Sequence, residues 1–158
     1  MQWVLLAVLA VVVVALARQI GVLHLRLSPT GALEIDDEGP RLGEAPEARA
    51  AIARDGSRIT VGGPGARRLV AFVSATCPIC EQVLPSLPAA AAAHRLVPQV
   101  VQDPELEIAY DVPGVPFVLV LDEMGVTRAK GTANSLEQID GLIDTALRRM
   151  TQPLEAIG

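Results

Sequence analysis

The feature that most constrains this chain is Cys77-Pro78-Ile79-Cys80, which holds its only two cysteines. The pair follows the apolar run Leu69-Val70-Ala71-Phe72-Val73 after the short spacer Ser74-Ala75-Thr76, and it leads into Glu81-Gln82-Val83-Leu84. That order places it where a buried strand gives way to a helix. At a helix start the unpartnered backbone N–H groups and the positive end of the helix dipole favour an anion, so the Cys77 thiol is expected to be acidified. Cys80 falls on the same helical face three residues on, within reach of a mixed disulfide formed at Cys77. Cys77 is therefore read as nucleophile and Cys80 as resolving thiol. Pro78 suits the first helical turn, where a missing N–H costs nothing. A zinc site would need a second cysteine pair or a finger-like histidine spacing, and His24 and His94 do not provide one. A purely structural disulfide closing so short a loop would remove little unfolded-state entropy.

Hydrophobic residues make up 51% of the 158, and the excess lies at the start. Trp3 to Ala17 is unbroken apolar sequence, and with Arg18 snorkelling the stretch extends to Leu23, about the 20 residues a bilayer requires. Residues 1–23 are read as a transmembrane anchor. A cleaved signal peptide fits less well, because the basic leading region is missing and apolarity resumes past Ala15-Leu16-Ala17. Arg18, His24 and Arg26 pull their flank weakly towards the cytoplasm by the positive-inside rule. A net charge of −5 and an aromatic content of 3% exclude a nucleic-acid surface.

Residues 24–42 read as a juxtamembrane tether, rich in Pro, Gly and charge, and the folded domain is placed at 43–152 with a tail at 153–158. Arg54-Asp55-Gly56-Ser57 between two strand-like runs signals a hairpin. The Leu69 to Val73 run suits a central strand covered on both faces. The helix from Cys80 should be interrupted at Pro85 and Pro88 and end near His94. Val97 to Gln102 reads as a parallel strand, and Asp103-Pro104 opens a short helix with an N-cap and an N1 proline. Pro116 precedes the buried run Phe117 to Leu121, so it belongs at the strand's first residue; with the cysteine pair upstream, a cis Val115-Pro116 bond is expected. Asp122 to Gly125 forms a hairpin loop into an outer strand whose apolar and basic residues alternate. Ser135-x-x-Gln138 is a capping box opening a helix with Leu136, Ile139, Leu142, Ile143, Ala146, Leu147 and Met150 on one stripe. The order implies an α/β fold, a mixed sheet with helices on both faces.

A strand, CPxC opening a helix, Gly-Val-Pro before a buried strand, a hairpin and a closing helix together resemble the thioredoxin superfamily. Within it the chain is most similar to the membrane-anchored MauD family of methylamine utilisation. The similar stretches are Ala15–Gly43 (ALARQIGVLHLRLSPTGALEIDDEGPRLG), Ser74–Cys80 (SATCPIC) and Val115–Asn134 (VPFVLVLDEMGVTRAKGTAN). The resemblance implies a thioredoxin-like domain on an N-terminal transmembrane helix, held in the periplasm by a single pass through the inner membrane. It implies a thiol-disulfide oxidoreductase that forms or isomerises disulfides in a disulfide-rich periplasmic partner, the light subunit of methylamine dehydrogenase. An upstream redox partner completes the cycle, and no cofactor or metal is expected beyond the Cys77–Cys80 couple. Carried over, Cys77 attacks, Cys80 resolves, and Thr76, Pro78, Ile79, Val115 and Pro116 shape the groove that binds an extended substrate.

The chain departs from the superfamily pattern at three positions. Thr76 stands where thioredoxins usually carry Trp, Ala71 where many carry a buried acid, and Glu81 where a basic residue is common. A carboxylate at Glu81 opposes ionisation of Cys77. Two other functions compete: a reductase of the TlpA and ResA kind, serving cytochrome c or copper-site assembly and using the same two cysteines, and a non-catalytic metallochaperone or assembly scaffold, for which a variant lacking both thiols would still support maturation of the partner or the domain would bind copper.

Overall fold

The computed structural model describes residues 38–151, together with Gln2 and Leu9. The chain divides into two compact units, Met1–Thr30 and Gly31–Gly158. Of the first, only Gln2 and Leu9 are described, both helical. The expected anchor at 1–23 and the tail at 153–158 therefore lie outside the described residues, as does most of the tether. Among the described residues no helix is long and apolar enough to cross a membrane.

The second unit is built on a four-stranded sheet in the order β4-β3-β5-β6, with β3 Arg68–Phe72, β4 Val97–Val101, β5 Phe117–Leu121 and β6 Thr127–Thr132. β3 pairs in parallel with β4 and antiparallel with β5, which pairs antiparallel with β6. The continuous apolar runs of β3 and β5 conceal a strict division of labour. Leu69, Ala71, Val118 and Val120 face one core, shared with the broken helix after the cysteines and with α4 (Leu136–Thr151). Val70, Phe72, Phe117, Leu119 and Leu121 face another, closed by α3 (Pro104–Ala109) and by β1 (Arg49–Ile52) and β2 (Arg58–Val61). Both faces of a central strand are covered, so both parities must be apolar.

Most local expectations hold. The helix breaks at its prolines into α1 (Pro78–Val83), a 3-10 turn (Leu84–Ser86) and α2 (Leu87–Ala93), with His94 at its end. Asp103 caps α3, accepting from Glu105 and Leu106 N–H, while its second oxygen takes Ile52 N–H at 2.9 Å. The box at α4 is modified: Ser135 Oγ accepts from Gln138 N–H, but Gln138 Oε1 returns to Asn134 N–H rather than to the cap residue. Leu136, expected on the buried stripe, is 44% exposed, because the stripe's packing begins at Ile139.

Two readings need qualifying. β6 is the outer strand that its alternation suits, but its basic residues are not at the surface: Lys130 is fully buried and Arg128 is mostly buried in an ion pair with Asp122 at 2.7 Å. A bulge carries an extra residue, Arg128, between the Val120↔Ala129 and Leu121↔Thr127 pairs, and it breaks the alternation the expectation relied on. The end of the segment read as tether is also not free of the fold. Gly39 N–H donates to Asp111 O, Lys130 Nζ donates to Glu38 O at 2.7 Å, and Gly43 and Glu44 exchange backbone bonds with Thr127. Gly39 has φ +74, and a Cβ there would stand 2.8 Å from the Phe117 ring, so only glycine lets the segment lie against the sheet.

Tyr110 fastens the next part of the chain. Its hydroxyl lies 2.7 Å from Glu47 O and 3.0 Å from Val61 O, so its one proton is donated between two backbone carbonyls at the β1–β2 unit. Burial, the largest influence, pushes this phenol up to about 12 from 10.0. The folded state thus keeps its proton after the unfolded chain has lost it. This contribution to stability is complete below pH 10 and is lost as pH climbs towards 12. Tyr110→Phe is expected to cost about 1–3 kcal/mol at neutral pH, by removing the buried hydroxyl's hydrogen bond to these carbonyls, and to remove that alkaline slope. Urea unfolding at pH 7 and across pH 9–11 measures both.

Candidate active site

The site forms at the carboxyl end of β3, where the chain leaves the sheet and turns into α1. Ser74 organises the turn: its Oγ accepts from Thr76 N–H at 3.2 Å and lies 3.0 Å from Thr76 Oγ1, and its carbonyl takes Cys77 N–H. Cys77 is the N-cap of α1, with extended φ −98 and ψ 104, and its Sγ accepts the Cys80 N–H at 3.1 Å. A sulfur here satisfies one of the orphan donors of the first turn, and it does so better as thiolate than as thiol. Pro78 follows as the first helical residue.

Cys77 and Cys80 are joined as a disulfide, their Cα atoms 5.3 Å apart. The two sulfurs differ in access: Cys77 is half-buried and Cys80 wholly buried. An incoming thiolate can therefore reach only Cys77. Thr76, Pro78 and Ile79 are exposed around it, with Ile79 presenting an uncharged apolar side chain at 43% exposure. Across the opening lies the loop before β5. The Val115-Pro116 bond is cis, Pro116 is buried with its carbonyl taking Ala133 N–H, and Val115 O stands 3.8 Å from Cys77 Sγ. The structure thus brings Cys77, Cys80, Val115 and Pro116 together and arranges Thr76, Pro78 and Ile79 on the rim of the same turn.

Ala71 is buried in the core shared with α1, paired in register with Val118. Among the described residues the buried polar side chains are Arg68, Asp122, Thr127 and Lys130. Arg68 and Asp122 sit at the opposite end of the sheet, where the Arg68 guanidinium donates to Gly62 O and Gly63 O. No described carboxylate lies buried behind Cys80. One residue beside the site was not foreseen. Arg54, at the β1–β2 hairpin, reaches α1 and pairs with Glu81 at 2.8 Å. Its only local signal was a turn motif, and nothing in that motif says which helix the turn will meet.

Chemically this is a thiol–disulfide couple with one accessible and one shielded sulfur, next to a backbone loop that can align an extended chain. No protein-family model matches the sequence. The chain is 30% identical over 168 residues to the methylamine utilization protein MauD of Methylorubrum extorquens, covering 90% of this chain and 82% of that protein. It is 31% identical over 169 residues to MauD of Methylobacillus flagellatus, with the same coverage. Among solved structures it is similar to a putative thiol:disulfide interchange protein DsbE from Chlorobium tepidum, at TM-score 0.56 and 16% identity over 70% of this chain and 99% of that one. It is also similar to a thio-disulfide isomerase from Thermus thermophilus, at TM-score 0.50 and 18% identity over 72% and 99%. These likenesses show a thioredoxin-like fold. By the extent and identity of its match, the chain belongs to the MauD family, and it carries its thiol–disulfide couple on that fold.

Proposed function

We propose that the chain is a membrane-tethered thiol-disulfide oxidoreductase that forms or rearranges disulfides in a periplasmic partner, and that this partner is the light subunit of methylamine dehydrogenase. The observation that carries the reading is the asymmetry of the two sulfurs, Cys77 reachable at the helix start and Cys80 buried behind it. Membership of the MauD family supports the methylamine setting. The unbroken apolar stretch from Trp3 to Ala17 supports the tether.

In the oxidising direction a substrate thiolate attacks Cys77 Sγ. The Cys77–Cys80 bond breaks, a mixed disulfide forms, and Cys80 leaves with the electron pair and takes a proton. A second substrate thiolate then attacks its partner sulfur in the mixed disulfide and releases Cys77 as a thiolate. The substrate has lost two electrons and the chain has gained them, so an upstream disulfide of a redox partner must restore the couple. In isomerisation the reduced Cys77 begins instead, attacking a substrate disulfide, and no net electrons move. The Cys80 N–H stabilises the Cys77 thiolate in both directions. The uncharged rim of Thr76, Pro78, Ile79 and Val115 accepts an extended peptide without selecting for charge.

The test mixes oxidised full chain with reduced, unfolded light subunit and follows substrate thiols by alkylation. Loss of substrate thiols matched by two new thiols per chain is expected, with a reduction potential well above the roughly −270 mV of thioredoxin. A potential at or below that value, with reduced chain opening substrate disulfides, would overturn the oxidative reading in favour of a reductase. Maturation that persists when both cysteines are replaced by serine would overturn it in favour of a scaffold.

A further inference from the structure

We infer that Arg54 is a positioning residue for the redox couple, raising its reduction potential by neutralising Glu81. The inference rests on the oxidoreductase reading above and concerns how strongly the same site oxidises.

Glu81 is the acidic residue of the first turn of α1, four residues after Cys77, and its N–H closes that turn on Cys77 O at 3.4 Å. Positions four apart are neighbours on a helix surface. In the reduced state an unpaired carboxylate there repels the Cys77 thiolate and draws on the same helix terminus that stabilises it. α1 has no basic residue in its last turn to offset this. The cation comes from outside the helix: Arg54 Nη2 stands 2.8 Å from Glu81 Oε1.

The placement of Arg54 does not depend on the ion pair. Its own N–H donates to Val100 O on β4, Ala53 bridges Val101, and Ala53 N–H closes the hairpin on Ser57 O. Gln102 N–H donates to Ile52 O and Ile52 N–H to Asp103 Oδ2, which ties the strand below the hairpin to the start of α3. The neighbouring acid Asp55 is engaged by Ser57 N–H. The β1–β2 unit thus presents a guanidinium to the active-site helix from a backbone already fixed to the sheet. Stabilising the thiolate stabilises the reduced form, which makes the couple a stronger oxidant. Both side chains are partly solvated, 38% exposed for Arg54 and 56% for Glu81, so the effect is moderate and screened by salt.

The test equilibrates the full chain, in mild detergent, with glutathione buffers and reads the reduced fraction by alkylation mass shift. Arg54→Met is expected to favour the disulfide by about three- to tenfold, a fall of roughly 15–30 mV at about 30 mV per decade. Glu81→Gln is expected to move the equilibrium the other way by a similar factor, and the double variant to return within about twofold of the parent. The single shifts should shrink between low and about 0.5 M salt. Single variants within twofold of the parent, or moving in the same direction, overturn the inference, even if melting temperatures fall. A parent chain that shows no equilibrium with glutathione defeats the oxidoreductase reading itself. A parent that equilibrates while Arg54→Met does not shift defeats only this assignment.

Discussion

Replacing Cys77 with serine is expected to abolish thiol-disulfide exchange, by on the order of 10³-fold or more, while Cys80→Ser is expected to trap substrate on the chain. Removing the covalent nucleophile of an enzyme typically leaves only the contribution of binding. Here Cys80 cannot take over, because its sulfur is wholly buried. A hydroxyl at position 77 could still accept the Cys80 N–H, so the fold should be unaffected while the chemistry is gone. The Cys80→Ser variant keeps the reachable sulfur. It can attack a substrate disulfide, but no second thiol stands at the 5.3 Å Cα separation needed to release the product. Non-reducing gels should then show a covalent complex approaching one substrate per chain, absent with Cys77→Ser. Equal trapping by both variants would contradict the division of roles.

The largest effect on stability is expected at Phe72. It ends β3, is fully buried, and meets Tyr110 edge-on at 6.2 Å between ring centres and Phe117 at 6.5 Å. Those partners are the residue that clips Glu47 and Val61 and the residue that follows Pro116. One side chain therefore joins the catalytic strand, the loop opposite Cys77 and the β1–β2 unit. Phe72→Ala should cost about 3–5 kcal/mol, from lost transfer energy and the cavity left behind. Against a typical domain stability of about 5–15 kcal/mol that is a large fraction. Phe72→Leu retains most of the volume and should cost clearly less, about 1–2 kcal/mol. Urea denaturation with an unchanged m-value would assign the loss to stability alone. A Phe72→Ala cost below about 1 kcal/mol would mean that the three rings do not form one packed unit.

Much of this architecture is legible in the residues because its causes are local. Cys77 at an N-cap, Pro78 in the first turn, prolines 85 and 88 breaking a helix and Asp103 capping another each follow from backbone chemistry within a few positions. The cis Val115-Pro116 bond needed two motifs read together, since a proline before a strand is compatible with either isomer. Non-local pairings were not legible. Lys130 reads as a surface lysine in an alternating strand, yet it is buried and donates to Glu38 O, 92 residues away. Glu81 reads as an obstacle to ionising Cys77 until Arg54 is found beside it, 27 residues earlier in the chain. Neither pairing leaves a periodic or capping signature. Residues 38–42 read as tether because Pro, Gly and charge dominate them, yet Gly39 N–H bonds to Asp111 O and Glu38 O to Lys130 Nζ.

Exchange at this site requires one cysteine to be open to attack and ionised while the other is shielded. The most direct measurement reduces the full chain, adds limiting iodoacetamide near pH 7, and locates the label by peptide mass spectrometry as a function of pH. Cys77 should carry nearly all the label and keep reacting below the usual thiol range near 8.5, while Cys80 stays unmodified until the chain is unfolded. Equal labelling of the two, or a Cys77 that reacts only as an ordinary thiol does, would contradict the account.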